Sequence, residues 1–204
     1  MRPEYWLRAN RALARRDAVL AGIIRAHPRV AIARRGEAFK TLARSIVGQQ
    51  ISVKAAESVW NRVLAIAPEA TPEQVLKVRR RLAGCGLSQR KSEYISDLAR
   101  HFATGSIHAR DWPDMGDEAV IAELIQVRGI GRWTAEMFLM FNLLRPDVLP
   151  LDDLGLQKAI SLHYFDGERV GREQMRELGA IWAPWRSVAT WYLWRSLDPV
   201  PVEY

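Results

Sequence analysis

The stretch VRGIGRWTAEMFLMFNLLRPDVLPLDDLGLQKAI, residues 127–160, places a glycine turn, a tryptophan and two adjacent aspartates close together. Gly129 and Gly131 bracket Ile130 between two apolar segments of helical spacing, and Trp133 follows at the start of the second. Glycine permits positive φ and a close approach of other backbone because it has no Cβ. The pattern predicts two helices joined by a tight turn, with Ile130 packed in the angle between them.

The turn also predicts an anion site. The amides of Gly131, Arg132 and Trp133 fall at the N-terminus of the second predicted helix, where the helix dipole and free N–H groups favour a phosphate oxygen. A lone G-x-G equally fits an ordinary corner between helices. The whole string of spaced aliphatics, G-I-G, a hydroxyl residue and alanine resembles the helix-hairpin-helix signature, a sequence-independent clamp on the DNA backbone. This resemblance implies DNA backbone contacts by Gly129, Gly131, Arg132 and Thr134.

The adjacent aspartates Asp152 and Asp153 follow Pro150 at the start of another predicted helix. An aspartate at this place caps the helix and stabilises it by about 1 kcal/mol. One aspartate suffices for capping, and two adjacent carboxylates repel each other. A carboxylate here could also stabilise a cationic transition state or orient a water molecule. The residues alone leave capping and catalysis evenly open, and one residue can serve both.

Helical periodicity extends over nearly the whole chain. It predicts an all-α fold of about ten helices with short connections, a break near Gly48–Ser52, and a helix capped by Thr71 with Pro72 at its first position. The segment HPRVAIARRG, residues 27–36, is the one candidate strand and fits an extended loop equally well.

The predicted layout has two lobes, with the ligand site in the cleft between them. Residues 36–145 are expected to form a central lobe that contains the helix-hairpin-helix at about 117–144. A single N-terminal helix within residues 1–35 is expected to pack with the C-terminal helices of 146–204 in the second lobe. We expect no additional N-terminal α/β domain.

The composition suits a polyanion as partner. The chain has 204 residues, a formal net charge of +7 and a pI of about 10.0, although basic charge alone is a weak indication of nucleic acid. Its one cysteine, Cys85, excludes a disulfide within this chain, a cysteine-ligated iron–sulfur cluster and a four-cysteine zinc site. We read neither a transmembrane run nor a signal peptide, and so expect no membrane partner and a reducing cell interior.

Three strings together resemble the helix-hairpin-helix (HhH-GPD) DNA glycosylase superfamily over residues 36–198. They are ARSIVGQQISVKAA, GIGRWTAEMF…LPLDDLGLQKAI and WAPWRSVATWYLW. The chain is most similar to the AlkA-type DNA-3-methyladenine glycosylase II branch and to the fungal alkylation-repair glycosylases. The resemblance implies a monomer that acts on double-stranded DNA containing alkylated bases. It assigns catalysis to Asp153 and leaves Asp152, the structural neighbour, as the helix cap or spacer.

The same resemblance describes a base pocket. It places Trp133 and Trp194 on opposite walls, where two indole faces would stack on a flipped cationic alkylpurine, with cation–π attraction of ~1–2 kcal/mol. Trp133 stands where the bifunctional glycosylase/lyases have a Schiff-base lysine, which implies a monofunctional enzyme that uses water. Met137 and Leu154 replace two tyrosines of the AlkA type, so we expect a less aromatic pocket. The lesion range stays open among 3-methyladenine, 7-methylguanine, ethenoadenine, hypoxanthine and 1-methyladenine.

The predicted break near Gly48–Ser52 contains two glutamines, and two interpretations of it are open. A helix corner with two solvated amides would account for it, whereas the resemblance places a wedge there, a side chain that fills the gap left by a flipped nucleotide. String matching gives Gln50, with Gln49 and Ile51 as alternatives. The resemblance implies no required cofactor and no iron–sulfur cluster. It allows a structural Na⁺ or K⁺ at three hairpin carbonyls, those of Ile125, Val127 and Ile130.

The function hypothesis is therefore a monofunctional DNA glycosylase of base excision repair that excises alkylated purines such as 3-methyladenine and leaves an abasic site. The alternative is a non-catalytic helix-hairpin-helix protein that binds DNA or senses damage, which gives no reason for Asp153 to lie beside pocket tryptophans. An oxidised-guanine glycosylase is disfavoured because Trp133 replaces the lysine. We expect a cytoplasmic, nucleoid-associated protein in a bacterium and a nuclear protein in a eukaryote.

Overall fold

The computed structural model describes residues 2–28 and 31–197, and these contain eleven α-helices, one 3₁₀ helix and no β-strand. The all-α prediction is confirmed. The helices in chain order are α1 (Trp6–Arg16), α2 (Ala18–Ala26), α3 (Ala38–Gly48), α4 (Val53–Ile66), α5 (Pro72–Val78), the 3₁₀ helix (Arg79–Cys85), α6 (Gln89–Ala103), α7 (Asp117–Leu124), α8 (Arg132–Phe141), α9 (Leu154–Tyr164), α10 (Arg172–Trp182) and α11 (Arg186–Leu197).

The chain divides into two compact units. The first consists of the described residues of 1–34 and 139–202, and the second of residues 35–138. The first unit therefore contains α1, α2, α9, α10 and α11, and the second contains α3 to α7 with the 3₁₀ helix. Each unit has a core of its own.

Helix α11 lies at the centre of the first unit. Its residues are buried on nearly every side, as expected of a helix surrounded by others. Trp6, on the buried face of α1, packs against Tyr192 of α11 with ring centroids 5.8 Å apart. Asn10 Nδ2 donates to the Tyr192 hydroxyl at 2.8 Å, which ties α1 to α11.

The prediction of a single N-terminal helix is wrong, because the structure has two helices that meet at Asp17. Asp17 is extended (φ −141°), and its Oδ1 accepts from Leu20 N at 2.9 Å as the N-cap of α2. Its Oδ2 accepts from the Tyr164 hydroxyl at 2.7 Å and from Trp182 Nε1 at 2.8 Å. Burial, together with the hydrogen bond to Asp17, raises the pKa of Tyr164. These donors come from α9 and α10, so the break depends on contacts that local spacing does not contain.

A row of aromatic rings fills the second unit. Phe39, Phe102, Trp112 and Phe138 meet edge to face in sequence, with centroids 5.3, 6.1 and 5.1 Å apart, a favoured arrangement of ring quadrupoles. The predicted cap is confirmed in this unit, where the Thr71 side chain accepts from Gln74 N and Pro72 opens α5.

The predicted break between α3 and α4 is also confirmed. Helix α3 ends at Gly48, and α4 begins after Ser52, whose side chain accepts from Ala55 N at 3.3 Å. The candidate strand at 27–36 forms no strand in its described part, while residues 29 and 30 lie outside the described residues. Among the helices at 2–28 and 31–197, none is long and apolar enough to cross a membrane.

Candidate active site and nucleic-acid interface

Asp153 is the buried N-cap of α9 in the first unit. The residue is 6% exposed. Its Oδ1 accepts hydrogen bonds from Leu156 N at 2.6 Å and from Trp194 Nε1 at 2.8 Å. The prediction that this helix starts at the aspartate pair is confirmed, but the expectation of Asp152 as its cap is wrong, because the N-cap is Asp153. Capping alone does not require a buried carboxylate, because the exposed residues Ser52 and Ser88 cap α4 and α6. The second donor, an indole from α11, fixes the carboxylate in one orientation.

Asp152 has different surroundings. Its side chain is 43% exposed and forms an ion pair with Arg172 at the start of α10. A surface pair of this kind contributes little to stability. Of the two adjacent aspartates, Asp153 is therefore the one held in a defined, water-poor position.

Aromatic rings and a glycine surround the Asp153–Trp194 pair. The Trp194 ring stacks on Phe141 at 6.1 Å with an interplanar angle of 14°, and it meets Trp191 edge-on at 6.4 Å. A Cβ added to Gly155 would lie 3.1 Å from Asp153 Oδ1 and 3.2 Å from Trp194 Cδ1. The carboxylate and the indole can thus approach each other closely because residue 155 has no side chain.

Leu154 points outward beside this carboxylate. It is 78% exposed, an unusual value for a leucine that directly follows a buried aspartate. By contrast, Trp182, Trp185 and Trp191 are buried in the packing of the first unit.

The hairpin of the second unit forms as predicted between α7 and α8. Gly129 has φ +86°, and a Cβ there would lie 2.1 Å from Tyr94 Cδ2, so both its conformation and the close ring require glycine. Ile130 is buried, and its amide donates to Val127 O at 3.1 Å to close the turn. Gly131 O accepts from Ala135 N at 3.1 Å, which puts Gly131 at the beginning of α8.

The Arg132 side chain is engaged within the hairpin. Its guanidinium donates to both carboxylate oxygens of Glu118, at 3.0 and 2.5 Å, and to Glu136 Oε1 at 3.0 Å. The hydrogen bonds with Glu118 raise the pKa of Arg132 and lower that of Glu118. The neighbouring Thr134 is buried. The guanidinium therefore braces α8 against α7, and the backbone of the turn is the part suited to an external anion.

Trp133 and Met137 belong to the second unit. Trp133 is half-buried at the start of α8, and Met137, one turn later, is 8% exposed. Asp153, Leu154 and Trp194 belong to the first unit. The stacking of Trp133 opposite Trp194 and a ligand site between lobes both stay predictions.

The turn between α3 and α4 separates the three wedge candidates. Gln49 turns inward, and its Nε2 donates to Gly129 O at 2.9 Å. Gln50 is exposed and has φ +59°, in the left-handed region that few non-glycine residues occupy. Ile51 is 41% exposed. Gln49 is thus committed to the hairpin, while Gln50 and Ile51 project from the surface.

Sequence reasoning missed several residues that build these sites. Lys91 Nζ donates to Val47 O at 2.8 Å and to Gln49 O at 2.5 Å. Asp97 Oδ2 accepts from the Arg128 amide at 3.0 Å. These partners are 44, 42 and 31 residues apart. The one signal that could have indicated them is the spacing of Lys91, Tyr94 and Asp97, which places all three on one face of α6.

The predicted cation site consists of hairpin carbonyl oxygens. Val127 O already accepts from Ile130 N, and a carbonyl oxygen has a second lone pair. Neutral backbone oxygens suit Na⁺ or K⁺, as in other protein sites for monovalent cations. Within residues 2–28 and 31–197 there is no group of three or more His, Cys, Asp or Glu side chains arranged for a metal. A Na⁺ or K⁺ at this turn stays a prediction.

Comparison with known proteins places these features in a family. The family model of the HhH-GPD superfamily of base excision DNA repair proteins matches residues 43–184. The chain belongs to this superfamily.

Individual relatives agree with the family match. DNA-3-methyladenine glycosylase 1 of Schizosaccharomyces pombe is 32% identical over 165 residues, 78% of this chain and 72% of that protein. The crystal structure of a Bacillus halodurans DNA-3-methyladenine glycosidase is 36% identical with a TM-score of 0.83, covering 92% of this chain and 87% of that one. The S. pombe 3-methyladenine DNA glycosylase Mag1, solved in complex with abasic DNA, is 28% identical with a TM-score of 0.81, covering 96% and 100%.

The lengths of the curated relatives differ from that of this chain. The chain spans 59% of the length of a Bacillus subtilis relative that is 32% identical over 169 residues. The residues that the family model matches contain the glycine hairpin and the aspartate pair.

Proposed function

We propose that this protein is a monofunctional DNA glycosylase that excises alkylated purines such as 3-methyladenine from double-stranded DNA and leaves an abasic site. The observation that carries the proposal is the buried Asp153 carboxylate, oriented by the Leu156 amide and the Trp194 indole. It lies in a chain whose relatives carry the name DNA-3-methyladenine glycosylase. The structural match to Mag1 with abasic DNA supports DNA as the partner.

The chemistry requires little beyond this carboxylate. A purine alkylated at N3 or N7 is cationic and leaves as a neutral base, so general acid catalysis contributes little. Cleavage develops positive charge on the sugar, and Asp153 would stabilise that charge and direct a water molecule to C1′. A carboxylate already oriented by two donors needs no reorganisation as the charge develops, which is the condition for strong electrostatic stabilisation.

Water is the nucleophile in this proposal because residue 133 is tryptophan. A lyase needs an amine that attacks C1′ and forms a Schiff base, and the superfamily position for that amine is Trp133 here. Its indole would instead stack on the extruded base, with Trp194 on the opposite side, and Met137 and Leu154 would complete the pocket. We accordingly expect borohydride to trap no covalent enzyme–DNA adduct; formation of such an adduct would contradict the monofunctional assignment.

The hairpin and the wedge would hold the DNA. The backbone of Gly129, Gly131, Arg132 and Thr134 would contact phosphate, and a Na⁺ or K⁺ held by the carbonyls of Ile125, Val127 and Ile130 would add positive charge at that phosphate. Gln50 would fill the gap left by the flipped nucleotide, since it projects from the surface whereas Gln49 does not. Ile51, which also projects, is the alternative. We expect the protein to act as a monomer.

The substitution Asp153→Asn tests the assignment. Asparagine retains an oxygen for the Leu156 amide and the Trp194 indole but lacks the charge. We expect the single-turnover excision of 3-methyladenine to fall by a factor of about 100 to 1,000, equivalent to ~3–4 kcal/mol of transition-state stabilisation. Affinity for a duplex with an abasic-site analogue should stay within a few-fold of wild type.

Asp152→Asn is the matched control, because it removes the adjacent exposed carboxylate and should leave excision nearly unchanged. Wild-type excision by Asp153→Asn would refute the catalytic assignment. Tight DNA binding by the wild-type protein with no base release from any alkylated duplex would instead favour the non-catalytic damage sensor.

A further inference from the structure

One face of α6 contacts both surface turns of the second unit. Lys91, Tyr94 and Asp97 recur at three-residue intervals and so share that face. Lys91 binds the turn after α3, the Tyr94 ring packs on Gly129, and Asp97 accepts the Arg128 amide. The turn that carries Gln50 and the glycine hairpin are thereby attached to the same rigid helix.

Lys91 closes the end of α3. The last carbonyls of a helix lack partners within the helix, and a cation at this end is favoured by the helix dipole. The Lys91 ammonium supplies donors to two such carbonyls, those of Val47 and Gln49, at 2.8 and 2.5 Å. Because Gln49 directly precedes Gln50, this contact constrains the peptide next to the residue at φ +59°.

The left-handed conformation of Gln50 has a cost. A non-glycine residue in this region is destabilised by about 1–2 kcal/mol and persists only when its surroundings enforce it. The Lys91 contacts on one side and the Gln49 side-chain bond to Gly129 O on the other supply that enforcement. The same two bonds fix the distance between the Gln50 turn and the hairpin.

We propose that Lys91 is a positioning residue, which holds the Gln50 turn in its left-handed conformation and at a fixed distance from the hairpin. This inference rests on the proposed function, in which Gln50 enters the DNA where the nucleotide has left. A wedge whose backbone is already held in place loses less conformational entropy when it enters the duplex. Without Lys91, the turn would relax, and flipping would require the turn to be ordered again.

The experiment compares Lys91→Met with Lys77→Met, which removes an exposed lysine at the end of α5. Three quantities are measured: affinity for undamaged duplex, fluorescence of 2-aminopurine placed opposite an abasic-site analogue as a report of wedge entry, and single-turnover excision. We expect Lys91→Met to reduce both the fluorescence change and excision about tenfold while affinity for undamaged DNA stays within twofold. Lys77→Met should leave the fluorescence change and excision at wild-type values.

A double-mutant cycle shows whether Lys91 acts through Gln50. In a Gln50→Ala background, Lys91→Met should reduce excision by less than twofold further. Lys91→Gln retains one donor in a smaller side chain, should give an intermediate rate, and provides the test if Lys91→Met does not fold.

Each other outcome has a distinct meaning. Independent, multiplicative effects of Lys91→Met and Gln50→Ala would overturn the Lys91 proposal, as would a parallel loss of undamaged-DNA binding. Wild-type behaviour of Gln50→Ala would overturn both the wedge and the role of Lys91. If the wild-type protein gives the fluorescence change without excising any base, the proposed catalytic function fails, while a loss of that change in Lys91→Met still supports the positioning role.

Discussion

At residue 155 the absence of a side chain lets the Trp194 indole reach the Asp153 carboxylate. Glycine normally weakens a helix, by roughly 0.5–1 kcal/mol relative to alanine. Gly155 lies in the first turn of α9, where alanine would favour the helix but would place a methyl group 3.1 Å from Asp153 Oδ1. The close approach of the Trp194 indole to the Asp153 carboxylate is thus retained at some cost to the stability of α9.

Gly155→Ala should therefore reduce excision while changing stability little. The new Cβ would displace the Trp194 ring or the carboxylate, and we expect the single-turnover rate to fall about tenfold, equivalent to ~1.4 kcal/mol. Thermal unfolding and excision are measured together. Gly22→Ala in α2, where a Cβ meets nothing within 4 Å, is the control and should leave excision unchanged. An unchanged rate in Gly155→Ala would show that the close packing has no catalytic role.

At the scale of elements, the hairpin contains two glycines with different requirements. Gly129 has a positive φ and the Tyr94 ring against it, whereas a Cβ on Gly131 would meet no atom of the protein within 4 Å. The G-I-G string therefore includes one glycine that the fold requires and one that the fold tolerates losing. An open position at Gly131 is consistent with the proposed approach of a DNA phosphate to that backbone.

Gly129→Ala should destabilise the protein, and Gly131→Ala should not. Left-handed backbone costs alanine about 1–2 kcal/mol, and movement of Tyr94 adds to this. We expect the denaturant midpoint to fall for Gly129→Ala and to stay at the wild-type value for Gly131→Ala. Gly131→Ala should instead lower the affinity for DNA. Equal unfolding midpoints for the two variants would contradict this division.

A second element-scale prediction concerns the corner between α1 and α2. Asp17→Ala leaves the half-buried Tyr164 hydroxyl and the buried Trp182 Nε1 without their acceptor and removes the cap of α2. Unsatisfied buried donors cost ~1–3 kcal/mol each and a lost cap ~1 kcal/mol, so the free energy of unfolding should fall by at least 2 kcal/mol.

Glu177→Ala, which removes an exposed carboxylate from α10, is the control for Asp17→Ala and should change the free energy of unfolding by less than about 0.5 kcal/mol. Chemical denaturation followed by circular dichroism measures both variants. Equal values for the two would mean that the Asp17 contacts do not hold the corner.

At the scale of the whole molecule, charge should govern DNA affinity more than it governs catalysis. The chain has a formal net charge of +7. Neutralising phosphates releases counterions, so log Kd should rise linearly with the logarithm of salt concentration. If four phosphates are contacted, affinity should fall on the order of 100-fold between 50 and 200 mM salt.

Excision at saturating enzyme should depend much less on salt, because the Asp153 carboxylate is buried and screened less than an exposed charge. Filter binding and single-turnover kinetics at four salt concentrations measure the two dependences. A Kd that is flat in salt would argue against backbone phosphates as the main source of affinity.

The sequence by itself determined the features that arise from near neighbours. A 3.6-residue period predicted the all-α fold, G-I-G predicted the hairpin turn, and Thr71 with Pro72 predicted the start of α5, because each pattern acts within one or two turns of helix. It also located Asp153 at a helix start, although these residues alone did not distinguish a cap from a catalytic group.

Only the tertiary structure decided which side chains meet across long separations. The Trp194–Asp153 pair is 41 residues apart, and Trp182 reaches Asp17 across 165. No periodic signal records such contacts, since they depend on how whole helices pack. For the same reason the break at Asp17 was missed: apolar spacing continues through it, and the donors that stabilise it come from α9 and α10. The contacts of α6 with both turns also depend on packing. Nothing in the sequence near Lys91 indicates its contact with the end of α3, because that contact exists only once the two helices pack together.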